Sequence, residues 1–215
     1  MTMEAAIASP RSLDLAALII LVPAACSVGF LMTGVGRLAA LDQQVRQLES
    51  VGGVVNDQIY GQLRDWERYR PLLSALGIIV GWPVMWLCAA AVIRAIGNHM
   101  RHDRVTLAQV FTVIVHASSV FALRAIVATP INYARESLGG ATSLAMLFPG
   151  LGDGTFAARL FGALDIFVIW WVLLVAVGLG KLYQTRALSI ARWLFGAYAT
   201  AAAALALMQA LRGGV

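Results

Sequence analysis

Long apolar runs alternate along the chain with shorter polar stretches, and the clearest run is Leu160–Lys181, LFGALDIFVIWWVLLVAVGLGK. It is apolar on every face, with an acid near its start and a Lys at its end. About twenty residues at ~1.5 Å rise match a ~30 Å hydrocarbon core, so the run predicts a transmembrane helix. Four further runs read the same way. The predicted spans are 13–36, 71–96, 106–131, 160–181 and 188–211, all within one membrane domain over 1–215: an all-α, polytopic membrane helical bundle of five transmembrane helices. Pro23 and Pro83 fall inside the first two spans. They predict kinks rather than breaks, because neighbouring helices re-satisfy freed carbonyls in a membrane.

Between the first two spans the pattern changes. Leu41, Val45 and Leu48, then Val55, Ile59, Leu63 and Trp66, recur at helical spacing on either side of Gly52-Gly53. This predicts an amphipathic helical loop over 38–70, built as helix, break and helix. Trp66 and Tyr69 stand just before Pro71, where aromatics mark a membrane surface, so the loop reads as an interfacial hairpin rather than a soluble module. Gly29, Gly34 and Gly36, the Gly77–Gly81 repeat and the Ala-rich stretch from Ala197 to Ala206 predict close helix packing, without establishing a dimer.

Composition agrees: 60% of the 215 residues are hydrophobic and 13% charged, against roughly 25% charged in soluble proteins. The net charge of +5 contains no basic run interleaved with aromatics. It therefore points to topology and to membrane lipids, with no nucleic acid as partner. Of the 16 Lys and Arg residues only Lys181 is Lys, which with abundant Ala and Gly suggests a GC-rich bacterial genome. Cys26 and Cys88 are isolated in apolar runs and are expected reduced. Pro23-Ala24-Ala25-Cys26 has the outline of a lipoprotein signal, but Pro23 replaces the usual Leu or Val and the run continues past Cys26, so a plain N-terminal anchor is expected. Arg11, Arg94, Arg101, Arg104, Lys181, Arg186 and Arg192 concentrate in short turns on one side. That bias places the N-terminus in the cytoplasm and the C-terminus outside it, in a bacterial inner membrane.

Catalytic signatures are missing. The turn 98–106, NHMRHDRVT, offers His99, His102 and Asp103 but no Cys and no second cluster, so it reads as a solvated basic turn with no metal. The stretch 150–155, GLGDGT, lacks the Gly-Lys-Ser/Thr of a phosphate loop and reads as flexible turns. There is no HExxH, no GxSxG and no pair of intramembrane acids, so neither an enzyme nor a cofactor is expected. The third span is the least apolar, with Gln109, His116, Ser118, Ser119, Arg124, Thr129 and, just beyond it, Asn132. Such residues face the bundle as packing glue or line a pathway. His116 is either a proton relay or a side chain bonded to a neighbouring helix. Arg124 lies about seven residues before the third span's outer end and Asp165 about five after the fourth's outer start, so both sit roughly 8 to 11 Å below the outer surface. They either form an interhelical ion pair or snorkel separately to the interface. The candidate binding cluster is Arg124, Asp165, His116 and Asn132.

Several segments together resemble a known family. Pro71 opening the second span, Val105-Thr106-Leu107-Ala108-Gln109-Val110-Phe111 after the basic turn, His116-Ala117-Ser118-Ser119, and Leu164-Asp165-Ile166-Phe167 leading to Trp170-Trp171 and Gly178-Leu179 follow one another as in the bacterial branch of the Yip1 domain family. The resemblance implies five helices, a cytoplasmic N-terminus and no enzymatic activity. Eukaryotic members are tied to membrane trafficking and Rab GTPases, but this chain lacks their DLYGP-type signature and an extended N-terminal cytosolic segment. The resulting expectation is a membrane adaptor or organiser that binds protein partners, a second copy or lipids. A small transporter or channel using the polar third and fourth helices is the alternative.

Overall fold

The computed structural model describes residues 10–50, 53–101, 105–148, 150 and 155–212, and these are all-helical. The elements are α1 (Pro10–Met32), α2 (Gly34–Ser50), α3 (Asp57–Asp65), α4 (Arg70–Arg101), α5 (Leu107–Ala117), α6 (Ser119–Ala134), α7 (Phe156–Ala163), α8 (Ile166–Leu182) and α9 (Ala187–Arg212), with single 3₁₀ turns at Glu67–Tyr69 and Leu144–Leu147. Four helical segments, Asp14–Met32, Asp57–His99, Leu107–Ala134 and Ala187–Met208, are long and apolar enough to cross a membrane. The fifth apolar helix, α8, has 17 residues, or about 25 Å of length. His102 and Asp103 of the basic turn, Gly52, and most of the 150–155 stretch lie outside the described residues.

Helix α1 packs on both α4 and α6, α5 bridges α4 to α8, and α9 lies along α8 and α7. The interior holds Ile19, Trp86, Ala90, Val110, Ile114, Val175 and Leu179, drawn from α1, α4, α5 and α8. Side-chain pairs bind the helices: Ser27 Oγ meets Ser74 Oγ at 2.7 Å between α1 and α4. An edge-to-face aromatic chain runs from Trp86 through Trp82, with centroids 6.0 Å apart, to Phe121 at 5.5 Å; Phe121 then meets Trp171 of α8 at 5.9 Å. Pro23 and Pro83 lie inside unbroken α1 and α4.

In three places the helices differ from the predicted runs. The first span ends at Met32, not Gly36. The Thr33 hydroxyl donates to Phe30 O at 2.7 Å and accepts from Gly36 N–H at 3.0 Å, so this residue closes α1 while supporting the start of α2. Gly36 is obligatory there, because a Cβ would strike the Phe30 carbonyl. The third span divides at Ser118 into α5 and α6. The largest difference is in the run 160–181, which breaks at Leu164-Asp165 into α7 and α8. Asp165 is thus not an acid inside a helix; it is the residue that begins one.

The 38–70 loop does form helices, but it is folded onto the bundle end. Ala39 and Ala40 of α2 are buried with Phe30 and Leu31, against Leu138. Buried Arg70 donates from Nη2 to Gln44 Oε1, and Arg37 pairs with Glu67 at 3.6 Å.

Candidate functional site

Asp165 begins α8 because its carboxylate can do what a helix start requires. Oδ1 accepts from the N–H groups of Phe167 at 2.8 Å and Val168 at 3.4 Å, satisfying donors that have no partner within the helix. The negative charge also sits at the positive end of the helix dipole. Oδ2 faces the other way. It accepts from Arg124 Nε and Nη2, each at 2.9 Å, and from the Thr142 hydroxyl at 2.5 Å. Arg124 Nε also lies 3.2 Å from Thr142 Oγ1.

The backbone around the carboxylate is held just as closely. Leu144 N–H donates to Leu164 O at 2.8 Å and Ile166 N–H to Thr142 O at 3.0 Å, an antiparallel bridge that pairs Ser143 with Asp165. Asp165 N–H donates to the Tyr198 hydroxyl at 2.9 Å, and that hydroxyl donates to Ala163 O at 3.2 Å. The break between α7 and α8 therefore exposes few unmet backbone groups: the connection after α6 and the side chain from α9 take them up. This is how irregular backbone is tolerated beside apolar helices.

The described part of the connection after α6 is packed against the bundle over residues 141–147. Residues 141–143 are buried, and Leu144–Leu147 forms a 3₁₀ turn over α7.

The four candidate residues do not form one cluster. Arg124 and Asp165 meet, with side chains 42% and 16% exposed. His116 lies about two turns along from Arg124, exposed, with Nδ1 2.8 Å from Thr112 O of its own helix rather than a neighbouring one. Asn132 lies at the far end of α6, where Nδ2 donates to Leu138 O at 3.5 Å and Oδ1 is buried without a partner among the described residues.

Deeper along the same α5–α6/α8 seam, fully buried Ser118 donates to Ile114 O at 2.8 Å and accepts from Trp171 Nε1 at 3.1 Å. Thr142 and Tyr198 were absent from the sequence candidates. One sits in a Gly-flanked loop and the other in an Ala-rich helix, and neither position carries a local signal of its partner. Cys26 and Cys88 are free thiols. Among the described residues no group of His, Cys, Asp and Glu could hold a metal ion. Chemically, the site is a charge-assisted node: one carboxylate joins α6, the connection after it and the start of α8. Comparison with family models, with curated proteins and with solved structures gives no match.

Proposed function

We propose that the chain is a Yip1-like integral protein of a bacterial inner membrane, without catalytic activity, that acts as an adaptor or organiser for protein partners or lipids. Its N-terminus lies in the cytoplasm and its five membrane helices include the short α8. The observation that carries this reading is the full engagement of the Asp165 carboxylate with Arg124, Thr142 and the start of α8. The charged pair is thereby explained without a transported ion. A helix bundle with broad apolar outer faces, such as that of α4 with Leu72, Leu76, Val80 and Val84 exposed, suits lateral contacts in the bilayer.

Purification from native membranes in mild detergent, with mass spectrometry of what remains bound in near-equal amount, tests the proposal. A stoichiometric membrane-protein partner or a defined lipid is the expected result. A second reading, a small transporter with Arg124, Asp165 and His116 along its path, draws on a groove of about 570 Å³ lined by Gln109, Thr112, His116 and Lys181. In proteoliposomes, Asp165→Asn separates the two. The adaptor reading expects reduced protein level, whereas transport expects a normal level and lost flux.

A further inference from the structure

That groove runs between α5 and α8 and opens to the outside of the bundle. Its floor is set by Gly178, where a Cβ would stand 2.5 Å from Val113 Cγ1, so the two helices approach as closely as their side chains permit. The walls divide by polarity. Lys181 and Gln109 stand at the helix-end mouth; Leu174, Val177 and Ala117 line the depth. From Lys181 to Leu174 is seven residues, or about 10 Å along the axis.

Three features call for an occupant with a particular chemistry. Lys181 is exposed and makes no ion pair or hydrogen bond among the described residues. No Asp or Glu lines the groove. His116 is exposed within an apolar span, and with Nδ1 held by Thr112 O its second ring nitrogen has no partner among the described residues. Polar atoms facing hydrocarbon in this way are costly unless something polar meets them. A cationic mouth above an apolar trough, with a hydrogen-bonding group partway down, matches one molecule: phosphate at the surface, ester oxygens beneath it, acyl chain below. Basic pockets between membrane helices bind anionic headgroups by this logic.

We infer that the α5/α8 groove is a binding site for one anionic phospholipid, with its phosphate against Lys181, its ester oxygens below it toward His116 and an acyl chain along Leu174. The inference rests on reading the bundle as a binding protein, and its failure would leave a protein partner for that reading untouched.

The test uses the full chain reconstituted in nanodiscs of equal phosphatidylglycerol and phosphatidylcholine, followed by release into native mass spectrometry. The expected result is retention of one phosphatidylglycerol in preference to phosphatidylcholine. Lys181→Gln should lower that preference about fivefold, which corresponds to about 1 kcal/mol for one cation near the surface. Lys181→Arg should restore it. Arg192→Gln, which removes an exposed cation on α9 outside the groove, should leave it unchanged, and circular dichroism should show equal helicity throughout. No lipid preference in the wild type, or equal losses in Lys181→Gln and Arg192→Gln, would overturn the assignment. So would a dimer that Lys181→Gln dissociates without any change in bound lipid, which would make the groove an interface between copies.

Discussion

Changing Asp165 to Asn separates the two jobs of its carboxylate. Asn is as good a helix N-cap as Asp, so the bonds to Phe167 and Val168 N–H survive, while the charge opposite Arg124 is lost. With side chains 42% and 16% exposed, the pair stands between two limits: solvent-exposed pairs contribute about 0.2–1 kcal/mol, and breaking a buried pair costs about 3–5 kcal/mol. Two N–H groups of Arg124 reach the same oxygen and the Thr142 hydroxyl shares it, which favours the middle of that range. Asp165→Asn should therefore cost about 2 kcal/mol. Asp165→Ala, which also removes the cap, should cost about 3 kcal/mol. Arg124→Met should cost about 2 kcal/mol, because it leaves the carboxylate with Thr142 and the α8 amides alone. In a double-mutant cycle of Asp165→Asn with Arg124→Met, the second change should add little. A coupling of about 1–2 kcal/mol is expected, read from unfolding in mixed micelles of rising dodecyl sulfate fraction and followed by far-ultraviolet circular dichroism. Effects that add to within about 0.5 kcal/mol would mean that the two side chains are independent and that the node is not a source of stability.

Other parts of the framework make separate predictions. Ser118→Ala leaves Trp171 Nε1 facing a buried site without its acceptor and should cost about 1–3 kcal/mol; Trp171→Phe should cost less, and adding it to Ser118→Ala should recover part of the loss. Melting temperatures in detergent would show this order, and a Ser118→Ala variant as stable as the wild type would contradict it. Gly178→Ala should destabilise the chain and be rescued by Val113→Ala, since the obstacle is a side-chain methyl. Gly36→Ala should have no such suppressor, since there the obstacle is the Phe30 carbonyl; a second-site screen for restored protein level distinguishes them. Tyr198→Phe removes both the acceptor for Asp165 N–H and the donor to Ala163 O. It should cost about 1 kcal/mol and speed hydrogen exchange at the Asp165 amide more than at Val175, which lies in the middle of α8.

What was legible in the sequence follows from which forces act locally. Hydrophobic length is a property of a continuous stretch, and it located the apolar helices to within a few residues. The counting of residues from the span ends brought Arg124 and Asp165 to a common depth, and they do meet. Counting failed where a helix boundary depends on a distant partner. Nothing between Leu160 and Lys181 announces a break. Leu164-Asp165 looks like two more residues of a span until Thr142 and Tyr198, from segments before and after it, supply bonds that a continuing helix would have formed internally. Thr33 is the contrary case. Its hydroxyl bonds residues three positions to either side, a pattern legible in principle from Thr33 and Gly36, yet hidden by the unbroken apolar run around it. Asn132 and His116 were grouped with the pair because all four are polar and near the third span. Polarity alone carries no azimuth or depth, and the helix sends the three α5–α6 side chains to different surroundings.

The short α8 explains why an ion pair is placed where it is. Opposite it, α5 and α6 together run from Leu107 to Ala134, so α8 ends level with Arg124 and leaves about ten residues of α6 extending beyond it. A helix that stopped at that depth without partners would present bare N–H groups to an apolar environment, at a cost of several kcal/mol for each group. Continuing the helix through residues 160–165 would remove that cost, but it would also take the carboxylate away from the α8 amides and open the Ser143–Asp165 bridge. The folded chain instead fills the space above α8 with α7 and the 141–147 segment, pairs their backbone across the break, and turns the Asp165 carboxylate to the α8 amides, Thr142 and Arg124. Arg124 then neutralises that acid while its own side chain remains partly exposed. In this arrangement the charge is a consequence of ending a helix early, and the two residues that looked most like a transport path are the ones that the architecture can least spare.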